Sequence, residues 1–182
     1  MTTPIGSAPT RAHRPLLGLR HRPGRLAVAV FRLPLKAYQH NAGPAVGHTF
    51  LAFTHLGRKT GRTYQTVAMV ARYDQATDEA VITAGWGPQT DWYRNLQAHP
   101  AVQVQLGGRT FTPQQRFLAD DEAFDVIVQF RREHPHRVRF FSRVLGWGDL
   151  RDDARVRESV GTHPFVAFRP AEASAPPAAT QQ

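Results

Sequence analysis

Residues 57–62 read Gly-Arg-Lys-Thr-Gly-Arg and fall between two stretches patterned as β-strands, 48–56 and 63–73. Two glycines bracket a turn that carries three cations and a hydroxyl. Such a turn suits a phosphate. Its backbone N–H groups form a small anion cup, and Arg58, Lys59 and Arg62 neutralise the charge. Thr60 contributes the hydroxyl. The chain has two lysines, Lys36 and Lys59, and one of them lies in this turn. A solvated hairpin tip with gatekeeping charges has the same composition, so the turn alone leaves both readings open.

A second constellation spans residues 83–96, Thr-Ala-Gly-Trp-Gly-Pro-Gln-Thr-Asp-Trp-Tyr-Arg-Asn-Leu. A strand ends at Ala84. Gly85 and Gly87 let the backbone approach a flat ligand and offer N–H donors. Trp86 and Trp92 supply aromatic faces, and Asn95 can both donate and accept. Trp92 and Asn95 are three apart and share a helix face. Taken singly, Trp92 reads as a core anchor and Asn95 as the cap of a neighbouring carbonyl. Combined with Gly-Trp-Gly, they describe a pocket for a planar ligand. His48, His55, His99 and Tyr93 are proton donors by residue type only. His134-Pro135-His136 lacks a third ligand at suitable spacing, which argues against a metal.

The elements around these residues alternate in an orderly way. Strands are expected at 48–56, 63–73, 79–84, 102–106, 109–118 and 164–169. Gly107-Gly108 is a hairpin signal. Thr90-Asp91 starts a short helix over 91–99, closed by Pro100. Asp120-Asp121 starts another, and two more are expected at 136–146 and 152–160. Antiparallel hairpins with one short internal helix and helical ends imply a small β-barrel decorated by helices. Residues 1–15 and 171–182 have disordered compositions, leaving one domain over 16–170. Within it, 16–46 forms an N-terminal helical segment. Leu26, Val30, Leu33 and Ala37 make an apolar stripe on a helix over 24–40, which Pro34 kinks. That stripe serves either packing on the domain or contact with a membrane surface through 16–40.

Charge is divided unevenly. Net charge is +9, and residues 1–73 carry eleven Arg and Lys with no Asp or Glu. The positive field therefore belongs to the N-terminal segment and the first hairpin. It attracts a phosphorylated cofactor, an anionic surface or nucleic acid. Nucleic acid is disfavoured, because residues 1–30 contain no Phe, Tyr or Trp on which bases could stack. The absence of Cys excludes disulfides, thiolate metal sites and a Cys nucleophile, and fits a cytoplasmic protein. No apolar run reaches the ~18 residues of a membrane span.

Gly57-Arg58-Lys59-Thr60-Gly61, a second strand, the glycine-rich loop, Trp92-Tyr93-Arg94-Asn95-Leu96 and His99-Pro100-Ala101-Val102-Gln103-Val104 follow one another in a telling order. Over about 47–118 the chain resembles the deazaflavin (F420)-dependent nitroreductase and F420H2-dependent quinone reductase family. The resemblance implies a mainly β fold with helices, a split β-barrel like those that bind FMN. It also implies a reductase that passes a hydride from reduced F420 to a small electrophile such as a quinone, enone or nitro compound. Carried over residue by residue, it gives Arg58, Lys59 and Thr60 the coenzyme phosphate. The backbone of Thr66, Val67 and Ala68 lines the ring. Ala84, Gly85, Trp86 and Gly87 contact the deazaflavin edge, and Trp92 and Asn95 close the pocket. Many members have Arg where this chain has Tyr64, so Arg62 is the substitute for that charge. Members that reduce nitroimidazoles carry C-terminal Tyr residues, and this chain has no Tyr after Tyr93. The same cup would take FMN. A haem- or FMN-binding split barrel and a non-catalytic F420 carrier are the rival readings, and the chain is expected as a monomer or a homodimer.

Overall fold

A computed structural model of the chain describes residues 47–145 and 147–171. The helix expected over 24–40, the rest of 1–46 and the tail from 172 lie outside the described residues.

Seven strands form one antiparallel sheet. They are β1 (Phe50–Leu56), β2 (Thr63–Asp74), β3 (Glu79–Thr83), β4 (Gln103–Leu106), β5 (Arg109–Phe111), β6 (Pro113–Phe117) and β7 (Phe165–Pro170), in the order β5-β4-β1-β2-β3-β7-β6. The strands at the two ends of that order, β5 and β6, are consecutive in sequence and separated only by Thr112. The sheet must therefore curl until its edges meet, which gives a nearly closed barrel. The single strand expected over 109–118 is thus two. The chain turns a corner at Thr112, whose carbonyl accepts from the Ala171 amide at 2.9 Å, and Pro113 begins the new strand at an edge, where its missing N–H costs nothing.

Alternation along the strands builds two cores. Ala80, Ile82, Val166 and Phe168 point into the barrel with Leu51, Phe53 and Val104. Val81, Phe165 and Ala167 point outward against the helices. Strands β3 and β7 are buried on both faces and accordingly read as near-continuous apolar runs, Ala80-Val81-Ile82 and Phe165-Val166-Ala167-Phe168. Strand β2 carries an irregularity between Val70 and Arg72. Ala71 and Arg72 both face outward there, and Tyr73 returns to the barrel interior.

Four helices are described: α1 (Asp91–Ala98), α2 (Asp120–Glu133), α3 (Pro135–Leu145) and α4 (Asp153–Val160). Ala123, Val126, Ile127 and Phe130 of α2 supply the helical half of the second core. Helix α1 belongs to the first core instead. Its Tyr93 and Leu96 are buried among barrel residues. The Gln115 side chain on β6 fastens it, donating to the Leu96 carbonyl at 2.9 Å and accepting from the Ala101 amide at 3.0 Å. Thr90 precedes α1 as expected, but its hydroxyl makes no N-terminal cap. It donates backward to the Gly87 carbonyl at 2.7 Å and so ties the helix to the glycine loop.

Candidate functional site

Beside α1, between the 57–62 turn and the 84–90 loop, lies a cleft of about 930 Å³. The turn forms because Gly61 adopts φ +64, a left-handed conformation that favours glycine. Gly57 is equally constrained, since a Cβ there would sit 2.8 Å from the Tyr64 ring. Tyr64 therefore lies over Gly57 and stacks on His55, with ring centroids 5.9 Å apart.

The cleft gathers most of the expected residues. Arg58, Lys59, Thr60, Tyr64, Thr66, Trp86, Trp92 and Asn95 line it. Arg62, Val67, Ala68, Ala84, Gly85 and Gly87 do not. Ala84 is fully buried in the barrel core, against which Ala68 also packs. Trp92 does both jobs that its type allows. It lines the cleft and packs edge-on against Phe53 of the core, at 5.3 Å between centroids. Sequence reasoning missed Gln65, Gln89, Asp91 and Arg94 as lining residues. Arg94 had a usable signal, because it lies in the turn of α1 that carries Trp92 and Asn95.

The turn differs from the expected cup of amides. Gly57 N donates to Arg62 O at 2.8 Å, while Thr60 N and Gly61 N donate to Gly57 O at 3.2 and 2.8 Å. Arg62 N donates to Thr60 Oγ1 at 3.3 Å, and Arg58 N to Asn95 Oδ1 at 3.1 Å. These amides hold the turn together and cannot at the same time face an anion. Anion capacity rests on side chains. Arg58 is itself committed: its guanidinium donates to Asp91 Oδ1 at 3.0 Å and to Asn95 Oδ1 at 3.0 Å, clamping the turn onto α1. Lys59 and Arg94 are exposed cations on the cleft that form no ion pair among the described residues. The 84–87 loop shows the same economy. Ala84 N donates to Pro164 O, Gly85 N to Thr83 O and Gly87 N to Ala84 O. Behind this loop, the Trp147 indole N–H donates to Gly85 O at 3.1 Å, and a Cβ on Gly85 would meet Leu145 at 2.9 Å.

His55, only 3% exposed, sits at the inner wall. Its Nδ1 lies 3.1 Å from Asn95 Nδ2, and its Nε2 lies 3.1 Å from Thr66 Oγ1. Burial pushes the imidazole below its ordinary pKa, and a hydrogen bond with the Leu56 backbone opposes that only in part. His55 lines the cleft, with both ring nitrogens in hydrogen-bond contact with neighbouring side chains.

A family model described as F420H(2)-dependent quinone reductase matches residues 30–143. Comparison with curated proteins gives no match. Among solved structures, an F420-H2 dependent reductase (FDR-A) is 17% identical, over 68% of this chain and 96% of that one, with a TM-score of 0.45. The heme storage protein HutZ of Vibrio cholerae is 12% identical over 79% and 92%, with a TM-score of 0.42. A pyridoxamine 5'-phosphate oxidase-related, FMN-binding protein of Nostoc punctiforme is 14% identical over 84% and 83%, at 0.38.

Proposed function

We propose, for a chain that belongs to the F420H2-dependent quinone reductase family, that the cleft holds reduced F420 against a small electrophile of the quinone, enone or nitro class. One observation carries this reading: Lys59 and Arg94, cations without an ion pair among the described residues, line the same cleft as Trp86 and Trp92. F420 is planar at one end and anionic at the other, and the residues present fit both ends. The volume of the cleft also lies at the upper end of the roughly 300–1,000 Å³ common for small-molecule sites.

The bound coenzyme supplies the hydride; the protein supplies position and electrostatics. Lys59 and Arg94 neutralise the anionic end, with Thr60 as a further donor. Trp92, fixed by its contact with Phe53, presents a rigid edge for the planar end. The Arg58–Asp91 pair keeps the rim and α1 at a fixed separation, so the cleft is formed before a ligand arrives.

The test is direct binding. F420 and FMN are titrated separately into the purified chain, followed by fluorescence and by dialysis. Selective low-micromolar binding of F420, followed by turnover of a quinone or an enone, supports the reading. Preference for FMN, or binding of neither, overturns it. Tight F420 binding without turnover of any electrophile points to a carrier.

A further inference from the structure

The side-chain hydrogen bonds around His55 are mutually consistent in one direction. Asn95 Oδ1 faces two groups of Arg58 that can only donate, the backbone N–H at 3.1 Å and Nη1 at 3.0 Å. This fixes by chemistry which end of the Asn95 amide is oxygen. Asn95 Nδ2 must then be the group at 3.1 Å from His55 Nδ1, and an amide NH2 only donates. His55 Nδ1 is therefore the acceptor, and the one imidazole proton sits on Nε2. That proton is donated to Thr66 Oγ1 at 3.1 Å. Thr66 Oγ1 is thereby used as an acceptor, and its own hydrogen remains. Among the described residues no acceptor is placed for it, and Thr66 lines the cleft.

We propose that His55 is a positioning residue, held as the Nε2–H tautomer by Asn95 so that the Thr66 hydroxyl, which accepts from His55, keeps its own hydrogen to donate into the cleft, toward a carbonyl oxygen or ring nitrogen of the bound cofactor. The proposal rests on the F420 reading for the identity of that cofactor. It assigns Thr66 a side-chain role where the resemblance implied only a backbone one. It also links the rim to the wall. Arg58, Asn95, His55 and Thr66 lie on the turn, α1, β1 and β2, and each orients the next. A protonated His55 would set an N–H against the Asn95 NH2, so burial and geometry favour the same neutral ring.

The experiment uses the full-length chain. Long-range 1H–15N NMR reads the tautomer of His55, assigned by the signal lost in His55→Gln. The expected result at pH 7 is a neutral ring protonated on Nε2; an Nδ1–H ring or an imidazolium overturns the proposal. F420 titrations then read the consequence. Thr66→Val, which keeps the shape and removes the hydroxyl, is expected to weaken binding roughly three- to tenfold, the worth of one hydrogen bond, and Thr66→Ser to preserve it. His55→Gln is expected to weaken binding in the parent chain but to add nothing in the Thr66→Val background. Additive losses, or F420 binding indifferent to Thr66→Val, overturn the proposal while leaving the F420 reading intact. If FMN binds and F420 does not, the reductase reading falls and the same cycle run with FMN decides the proposal. Binding of neither overturns both.

Discussion

Two polar networks cross the barrel wall, built from similar residues and put together in opposite ways. At the cleft, Arg58, Asn95, His55 and Thr66 form an open chain in which every hydrogen bond points the same way. On the outer face, Arg72, Glu79, Arg116 and Glu122 form a closed ring of ion pairs: Glu79 accepts from Arg72 and Arg116, and Glu122 accepts from the same two arginines. The ring satisfies itself and ties β2, β3, β6 and α2 together. The open chain ends on a hydroxyl with a proton still to give. A closed network fastens elements; a directional one that terminates at a cavity prepares it for a ligand. Disruption of the ring should therefore be read in stability and disruption of the chain in binding.

The largest expected effect comes where the open chain is also buried. Asn95 is only 5% exposed, and Asn95→Leu leaves His55 Nδ1 and the Arg58 backbone N–H without partners, while the Arg58 guanidinium keeps Asp91. It should cost about 2–4 kcal/mol of stability, from roughly 1–3 kcal/mol for each buried group left unsatisfied. F420 affinity should fall more than tenfold. Denaturant unfolding with a parallel F420 titration measures both, and a variant with unaltered binding would break the contrast.

Glu79→Ala is the matching cut in the ring. Glu79 is 8% exposed and bonded to two arginines. Its loss should cost about 2–3 kcal/mol, at or below the range for breaking a buried pair because Arg116 reaches solvent. F420 affinity should not change. A large loss of affinity without a change in the melting curve would contradict the division of labour.

Lys59→Ala should act only on binding, lowering F420 affinity about tenfold at low salt and less at high salt, with no change in thermal stability. Titrations at two ionic strengths distinguish this from a packing effect.

The smallest effect is acid sensitivity. Hydrogen bonds from Arg116 hold the Glu122 carboxyl down at about 2, against 4.5 for the free group. A depressed carboxyl gives stability that is complete above pH 4.5 and lost as pH falls toward 2, since the unfolded chain binds the proton first. Glu122→Gln should flatten that acid limb of the melting temperature. At milder acidity, His55 and His163, both pushed down by burial, should erode stability below pH 6.5. Melting curves recorded across that range should show the decline in Glu122→Gln as well as in the parent chain.

The sequence by itself determined the parts and their order. Period-two apolar runs called for the strands, and glycines at 57 and 61 called for the tight turn. Trp92 and Asn95 were legible as one helix face because their spacing is local. Period and turn chemistry act between near neighbours, so they survive in a linear string. Tertiary structure alone decided what those parts touch. Arg58 was read as a phosphate ligand, yet in the fold it pairs with Asp91, thirty-three residues away. The 57–62 turn was read as an anion cup and the 84–87 loop as a source of N–H donors, yet the amides of Gly57, Thr60, Gly61, Gly85 and Gly87 donate within the turns themselves. His55 was an isolated histidine until barrel closure and α1 brought Asn95 to one ring nitrogen and β2 brought Thr66 to the other. The direction of a hydrogen bond depends on both partners, and here the partners meet only once the sheet has curled.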